Sequence, residues 1–133
     1  MINLITGKKG SGKTKKLIEQ VNTALADSKG NVVVIEQGFK LKDDIKYTAR
    51  LVDTDEYKIA NYDALYGLIA GIAAGNFDIT HVFVDGVLRI GGDDLDALAE
   101  LLAKVDALAG DTKYVFTVSA DAVELPDAVK KYL

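Results

Sequence analysis

The chain contains no cysteine, a single histidine (His81), a single proline (Pro126) and no long apolar run. Without cysteine there is no disulfide and no thiolate metal site, and one histidine cannot form a cluster, which argues against a structural zinc. The most apolar later stretch, 65–74, is about ten residues, half of the roughly 20 that a bilayer crossing requires. The first apolar run begins at Ile2 and is broken by Gly7, too early for the charged start and apolar core of an export signal. The expectation is a cytoplasmic protein with no membrane span. Sixteen basic and 20 acidic residues leave a net charge of -4, mixed along the chain, which argues against a surface built to coat nucleic acid or anionic membrane. With 133 residues, 49% of them hydrophobic, the chain is sized for one domain over residues 1–133.

What is present is an alternation of short β-branched runs with longer amphipathic ones, the pattern of strands and crossover helices around a parallel sheet. Strands are expected at 2–6, 31–36, 48–52, 79–86 and 113–120. "NVVVIE", apolar on both faces, should lie inside the sheet. Leu17, Ile18, Val21, Ala24 and Leu25 recur at helical spacing, and Gly30 follows as a terminating glycine. A second helix, 61–74, begins at a capping Asn61, and a third, 93–109, buries Leu95, Leu98, Leu102, Val105 and Leu108. Between 37 and 47 the lysine and aspartate cluster reads as a surface loop, and Pro126 marks a turn before a short C-terminal helix. Gly67, Gly71 and Gly75 share one face of the second helix, a spacing suited to close packing within the chain or against a second subunit. The fold expected is α/β in three layers, a mostly parallel sheet of about five strands with helices on both faces.

The string "GKKGSGKT", residues 7–14, satisfies G-x-x-x-x-G-K-[ST] with a strand before it and a helix after it. That is the pattern of a phosphate-binding loop. Gly7, Gly10 and Gly12 allow the backbone to turn its N–H groups inward, with Lys8, Lys9 and Ser11 filling the loop between them. The helix starting near Lys13 aims its positive end at the same place. Lys13 would neutralise the β- and γ-phosphates of ATP, and Thr14 would offer its hydroxyl to Mg²⁺. Lys8, Lys9, Lys15 and Lys16 form either a solvated face or an attraction for a polyanion. The second magnesium-side residue is Asp85, ending the apolar run "HVFVDG". Many ATPases carry a glutamate directly after this aspartate, but here Gly86 follows. Glu36, at the carboxyl end of the strand after the phosphate-loop helix, is the alternative catalytic carboxylate, and an exposed strand-end glutamate is the plainer reading.

"VVVIEQG" and "VFVDGVLRI" resemble the RecA and KaiC branch of phosphate-loop ATPases. In that branch an aspartate without a following glutamate ends one strand and the catalytic glutamate follows an earlier one. "LITGKKGSGKTKKLIE", "YDALYGLIAGIAAGNFDIT" and "FVDGVLRIGGDDLDALAELL" are similar to a family of short bacterial phosphate-loop proteins of unassigned role. Members carry the label ATP-binding or, loosely, twitching-motility retraction ATPase. A retraction ATPase proper has an N-terminal domain and acidic and histidine motifs that are absent here, so the resemblance implies ATP binding and leaves the biological task open. The branch resemblance implies a phosphate-loop NTPase core with the last strand between the Gly7 strand and the Asp85 strand. A kinase-like sheet would place those two strands side by side.

Three functions fit these residues. One is a slow Mg-ATPase acting as a nucleotide-dependent switch or assembly factor toward a protein partner or a second copy of itself. Another is a small nucleoside or nucleotide kinase, against which stands the lack of an arginine-rich lid, the only arginines being Arg50 and Arg89. The third is a scaffold that binds ATP without hydrolysing it. No N-K-x-D string is present to read guanine. Arg89 is either a finger toward a neighbouring subunit's nucleotide or a solvated loop residue, and Thr117 or Ser119, ending the last strand, is a candidate γ-phosphate sensor.

Overall fold

The structure is a computed structural model that describes residues 1–46 and 48–133. Among these residues five strands form one all-parallel sheet: β1 (Ile2–Thr6), β2 (Asn31–Glu36), β3 (Arg50–Asp53), β4 (Ile79–Val84) and β5 (Lys113–Val118), in the order β1-β5-β4-β2-β3. The last strand lies between the first strand and the strand that leads to Asp85, as the RecA-like expectation required. Helix α1 (Lys13–Asp27) lies on one face of the sheet. On the other lie α2 (Tyr62–Gly75), the short α3 (Val87–Gly91), α4 (Leu95–Leu108) and the terminal α5 (Asp127–Lys130).

The β2 sequence explains its central place. Side chains alternate across a sheet, so Val32 and Val34 enter the core under α1 while Val33 and Ile35 enter the core under α2 and α4. The same parity sends Phe83 and Val115 toward α1, and Val82, Val84, Tyr114 and Phe116 to the opposite core. Helix ends follow their caps: the Asn61 side chain accepts from the Ala64 amide at 2.8 Å, and Asp94 accepts from the amides of Asp96 and Ala97. At the outer edge of β1, the Leu4 amide donates to the Tyr132 carbonyl at 3.1 Å, so the C-terminal turn covers part of that edge. No helix among the described residues is long and apolar enough to cross a membrane.

Four expectations need correction. The segment after β2 is not simply a surface loop: Lys42, Asp43 and Asp44 are exposed, but Leu41, Ile45 and Ala49 are buried against α1 and β2. This segment takes the place of a second helix on that face. The Gly67, Gly71 and Gly75 face of α2 packs on nothing within the described residues; a Cβ at any of the three would meet open space. In α4 the buried stripe includes Leu101, whereas Leu108 is more than a third exposed. The expected loop after Asp85 forms α3 instead, because Gly86 adopts φ 73° and turns the chain at once into a helix.

Candidate functional site

Three parallel strands bring one polar side chain each to the carboxyl edge on the α1 face. Val84 is paired with Ile35 on one side and Phe116 on the other, so the next residues, Glu36, Asp85 and Thr117, stand in a row. They share the parity of Val34, Phe83 and Val115, which face α1. The Gly7–Thr14 loop rises from β1 at the end of this row.

Within the loop, Gly7, Gly10 and Gly12 have φ of 145°, 85° and 88°. A side chain at Gly7 would run into that of Ser11, and Gly12, in the left-handed region, is the N-cap of α1. The loop is pinned at its base where the Gly7 amide donates to the Ala120 carbonyl at 3.0 Å, and closed by a Ser11 amide bond to the Lys8 carbonyl at 3.1 Å. Lys8 itself points away and pairs with Asp121 at 3.4 Å.

The first turn of α1 breaks the charge rule that α2, α4 and α5 obey. Asp63, Asp96 and Asp127 occupy the first turns of α2, α4 and α5. Here Lys13, Lys15 and Lys16 stand at the positive end of the helix dipole, with no acidic residue and no side-chain cap. Cations in that position each cost a few tenths of a kcal/mol up to about 1. The amides of Gly10, Gly12, Lys13 and Thr14 find no backbone acceptor among the described residues. Uncapped amides and unpaired lysines at one point form an arrangement that an anion would complete.

Lys13 is only 8% exposed, and its ammonium donates to the Lys8 carbonyl at 3.0 Å. Thr14 Oγ1 stands 3.4 Å from Asp85 Oδ1, and the same carboxylate oxygen accepts from Thr117 Oγ1 at 2.8 Å. Thr117 accepts in turn from the Gly86 amide at 2.6 Å. A cleft of about 350 Å³ is lined by Lys9, Lys13, Lys15, Arg89, Asp85 and Thr14, together with Ser119, Thr117 and glycines of the two turns. Four cations therefore face one carboxylate, on a chain whose net charge is -4.

These residues fit a magnesium–phosphate ligand. No three histidine or acidic side chains gather into a metal cage among the described residues. Mg²⁺ does not require one, since it is usually held by one or two protein oxygens plus phosphate and water. Neighbouring oxygens of a Mg²⁺ octahedron lie about 3 Å apart, close to the 3.4 Å between Thr14 Oγ1 and Asp85 Oδ1.

Glu36 is not among the residues lining this cleft. It is 2% exposed, and its two carboxylate oxygens accept from the amides of Lys40 and Leu41, each at 3.1 Å. It is neither an exposed strand-end residue nor a free base; it ties down the buried segment that follows β2. Burial raises its pKa above the ordinary value, the two amides oppose that shift, and the nearby Asp85 reinforces it. The Thr117 hydroxyl is already committed on both sides, and of the two sensor candidates only Ser119 is exposed at the cleft. Sequence reasoning missed the role of Thr117 as the support of Asp85. Strand parity carried the signal: Thr117 follows Val115 on the α1 face and sits one strand from Asp85. In comparisons with known proteins, the chain matches no family model, and no curated protein matches it.

Proposed function

We propose that this chain is a cytoplasmic Mg-ATP-binding protein whose nucleotide state controls association with a partner, and that it hydrolyses ATP slowly. The observation that carries this reading is the first turn of α1. Three lysines and a set of acceptorless amides converge there beside the Thr14–Asp85 pair.

In this reading the loop amides and the α1 dipole hold phosphate oxygens. Lys13 exchanges the Lys8 carbonyl for the β- and γ-phosphates, a stronger, charge-assisted partner. Thr14 and Asp85 hold Mg²⁺, with Thr117 fixing the Asp85 rotamer from behind. The bound ion supplies charge neutralisation and polarisation of the phosphate oxygens. Turnover needs a group to orient or deprotonate water. Glu36, the expected candidate, does not line the cleft and is held toward the following segment by the Lys40 and Leu41 amides, so it must reorient to take that role. Slow hydrolysis follows from that cost.

The same engagement of Glu36 favours a second reading, a scaffold that holds ATP intact. Single-turnover assays with protein in excess of ATP separate the two. Phosphate release that requires Lys13 supports the slow ATPase, and ATP recovered unchanged over hours supports the scaffold. If Mg-ATP raises the thermal midpoint of neither the wild type nor Lys13→Ala, both readings are wrong.

A further inference from the structure

We infer that Arg89 is a specificity residue of the proposed nucleotide site, contacting the terminal phosphate from the same chain and making the site prefer a nucleoside triphosphate to a diphosphate. The inference rests on the Mg-ATP reading above and adds to it a second wall of the site.

The placement of Arg89 begins with Gly86. Directly after Asp85 the backbone enters the left-handed region at Gly86, φ 73°, a conformation that suits glycine. The chain thereby turns straight into α3, and the Arg89 amide donates to the Gly86 carbonyl at 3.0 Å. Arg89 is folded back over that turn. A Cβ built on Gly86 would lie 3.6 Å from Arg89 Nη1 and 3.7 Å from Cζ, so the guanidinium rests against the backbone beside Asp85. From there it lines the same cleft as the loop that carries Lys13.

A structural role accounts poorly for this arginine. Neither ion pair found among the described residues includes it, although Asp85 is four residues away in sequence. The Asp85 Oδ1 atom is occupied by Thr117. Arg89 is exposed and donates no side-chain hydrogen bond among the described residues. Packing over Gly86 rests the side chain on the backbone, and the C-terminal end of α3 attracts its charge weakly. Neither asks for a planar five-donor head in a cleft that already holds Lys9, Lys13 and Lys15. Placing a fourth cation there costs repulsion, and a polyanion recovers it.

The division of labour follows from position. Lys13, at the base of the loop, serves phosphates that ATP and ADP share, together with the terminal one. Arg89 comes from a different element, α3, beside Asp85, and in this inference it meets the terminal phosphate that ADP lacks. Guanidinium forks bind phosphate oxygens bidentately, and such charge-assisted pairs are the stronger kind of hydrogen bond. Losing one from the triphosphate complex alone should separate the two ligands by about tenfold or more. Because the residue belongs to the same wall as Asp85, a neighbouring subunit is not required to complete the site.

The test is calorimetric binding of Mg-ATP and Mg-ADP to the wild type, Arg89→Ala, Arg89→Lys and Lys15→Ala. The wild type should favour ATP. Arg89→Ala should lose about tenfold or more in ATP affinity with ADP little changed, and Arg89→Lys should recover only part of the loss. Lys15→Ala should weaken both ligands together. Equal loss of both ligands in Arg89→Ala, or no loss, overturns the inference while leaving the nucleotide site standing. Absence of any nucleotide binding to the wild type overturns both. Mixing Arg89→Ala with Lys13→Ala decides between same-chain and neighbouring-chain action. Restored ATP affinity in the mixture would mean that the arginine acts across subunits, contrary to the inference.

Discussion

Thr117 bridges the two residues that follow β4, donating to Asp85 at 2.8 Å and accepting from the Gly86 amide at 2.6 Å. One buried hydroxyl thus fixes both the carboxylate of the candidate magnesium site and the turn that launches α3. Thr117→Val keeps the shape but leaves the Gly86 amide without an acceptor. The expected cost is about 1–3 kcal/mol in denaturant unfolding, the usual range for a buried group deprived of its partner. Thr117→Ser should recover the polar part of that loss. The Mg²⁺ dependence of ATP binding should also weaken in Thr117→Val and return in Thr117→Ser. Unchanged stability in the valine variant would show that the bridge does not hold the turn.

Glu36 gives a pH signature. Its ordinary pKa is 4.5, and burial in the folded chain moves it upward. Below the ordinary value the carboxyl is protonated in both states, and the stabilising effect of its higher folded-state proton affinity is fully present. As pH rises through the folded value the proton is lost from a buried site, and that contribution disappears. Glu36→Gln cannot titrate. The stability of the wild type relative to Glu36→Gln should therefore fall as pH is raised from about 4 toward 7, measured as the difference in unfolding midpoints. A flat or rising difference would contradict the dominance of burial over the Lys40 and Leu41 amides.

Two glycines should respond in opposite directions to the same change. Gly71 lies inside α2, exposed, with open space where a Cβ would stand. Gly71→Ala should stabilise the isolated chain by about 0.5–1 kcal/mol through helix propensity and lower unfolded-state entropy. At Gly30 a Cβ would collide with the Asp78 carbonyl, which is held in place by the Asn31 amide at 2.8 Å. Gly30→Ala should cost about 1–3 kcal/mol, as overpacking does. A destabilising or concentration-dependent effect of Gly71→Ala would show that the glycine face of α2 is covered by a second molecule in solution.

The sheet was largely legible because β2, β4 and β5 are short, β-branched and apolar on both faces, a pattern that only interior parallel strands sustain. Asn61 and Asp94 marked helix starts through local chemistry, which sequence carries directly. The loop glycines and Lys13 were legible for the same reason. Less accessible were features set by tertiary contact. Nothing in "KLKDDIK" announces that Leu41 and Ile45 are buried while the charges between them stay in water, since the segment has no regular period. Whether Glu36 faced the cleft or the following turn depended on where the chain went after Gly38. The burial of the glycine face of α2 depended on whether another element reached it, and none of the described residues does.

The most direct test of the account is a calorimetric titration of Mg-ATP into the wild-type chain and into Lys13→Ala. The account predicts saturable binding by the wild type that Lys13→Ala abolishes or weakens by at least about a hundredfold, as expected for removal of a charge-assisted partner from a largely buried lysine. Equal binding by both proteins, or none by the wild type, would contradict it.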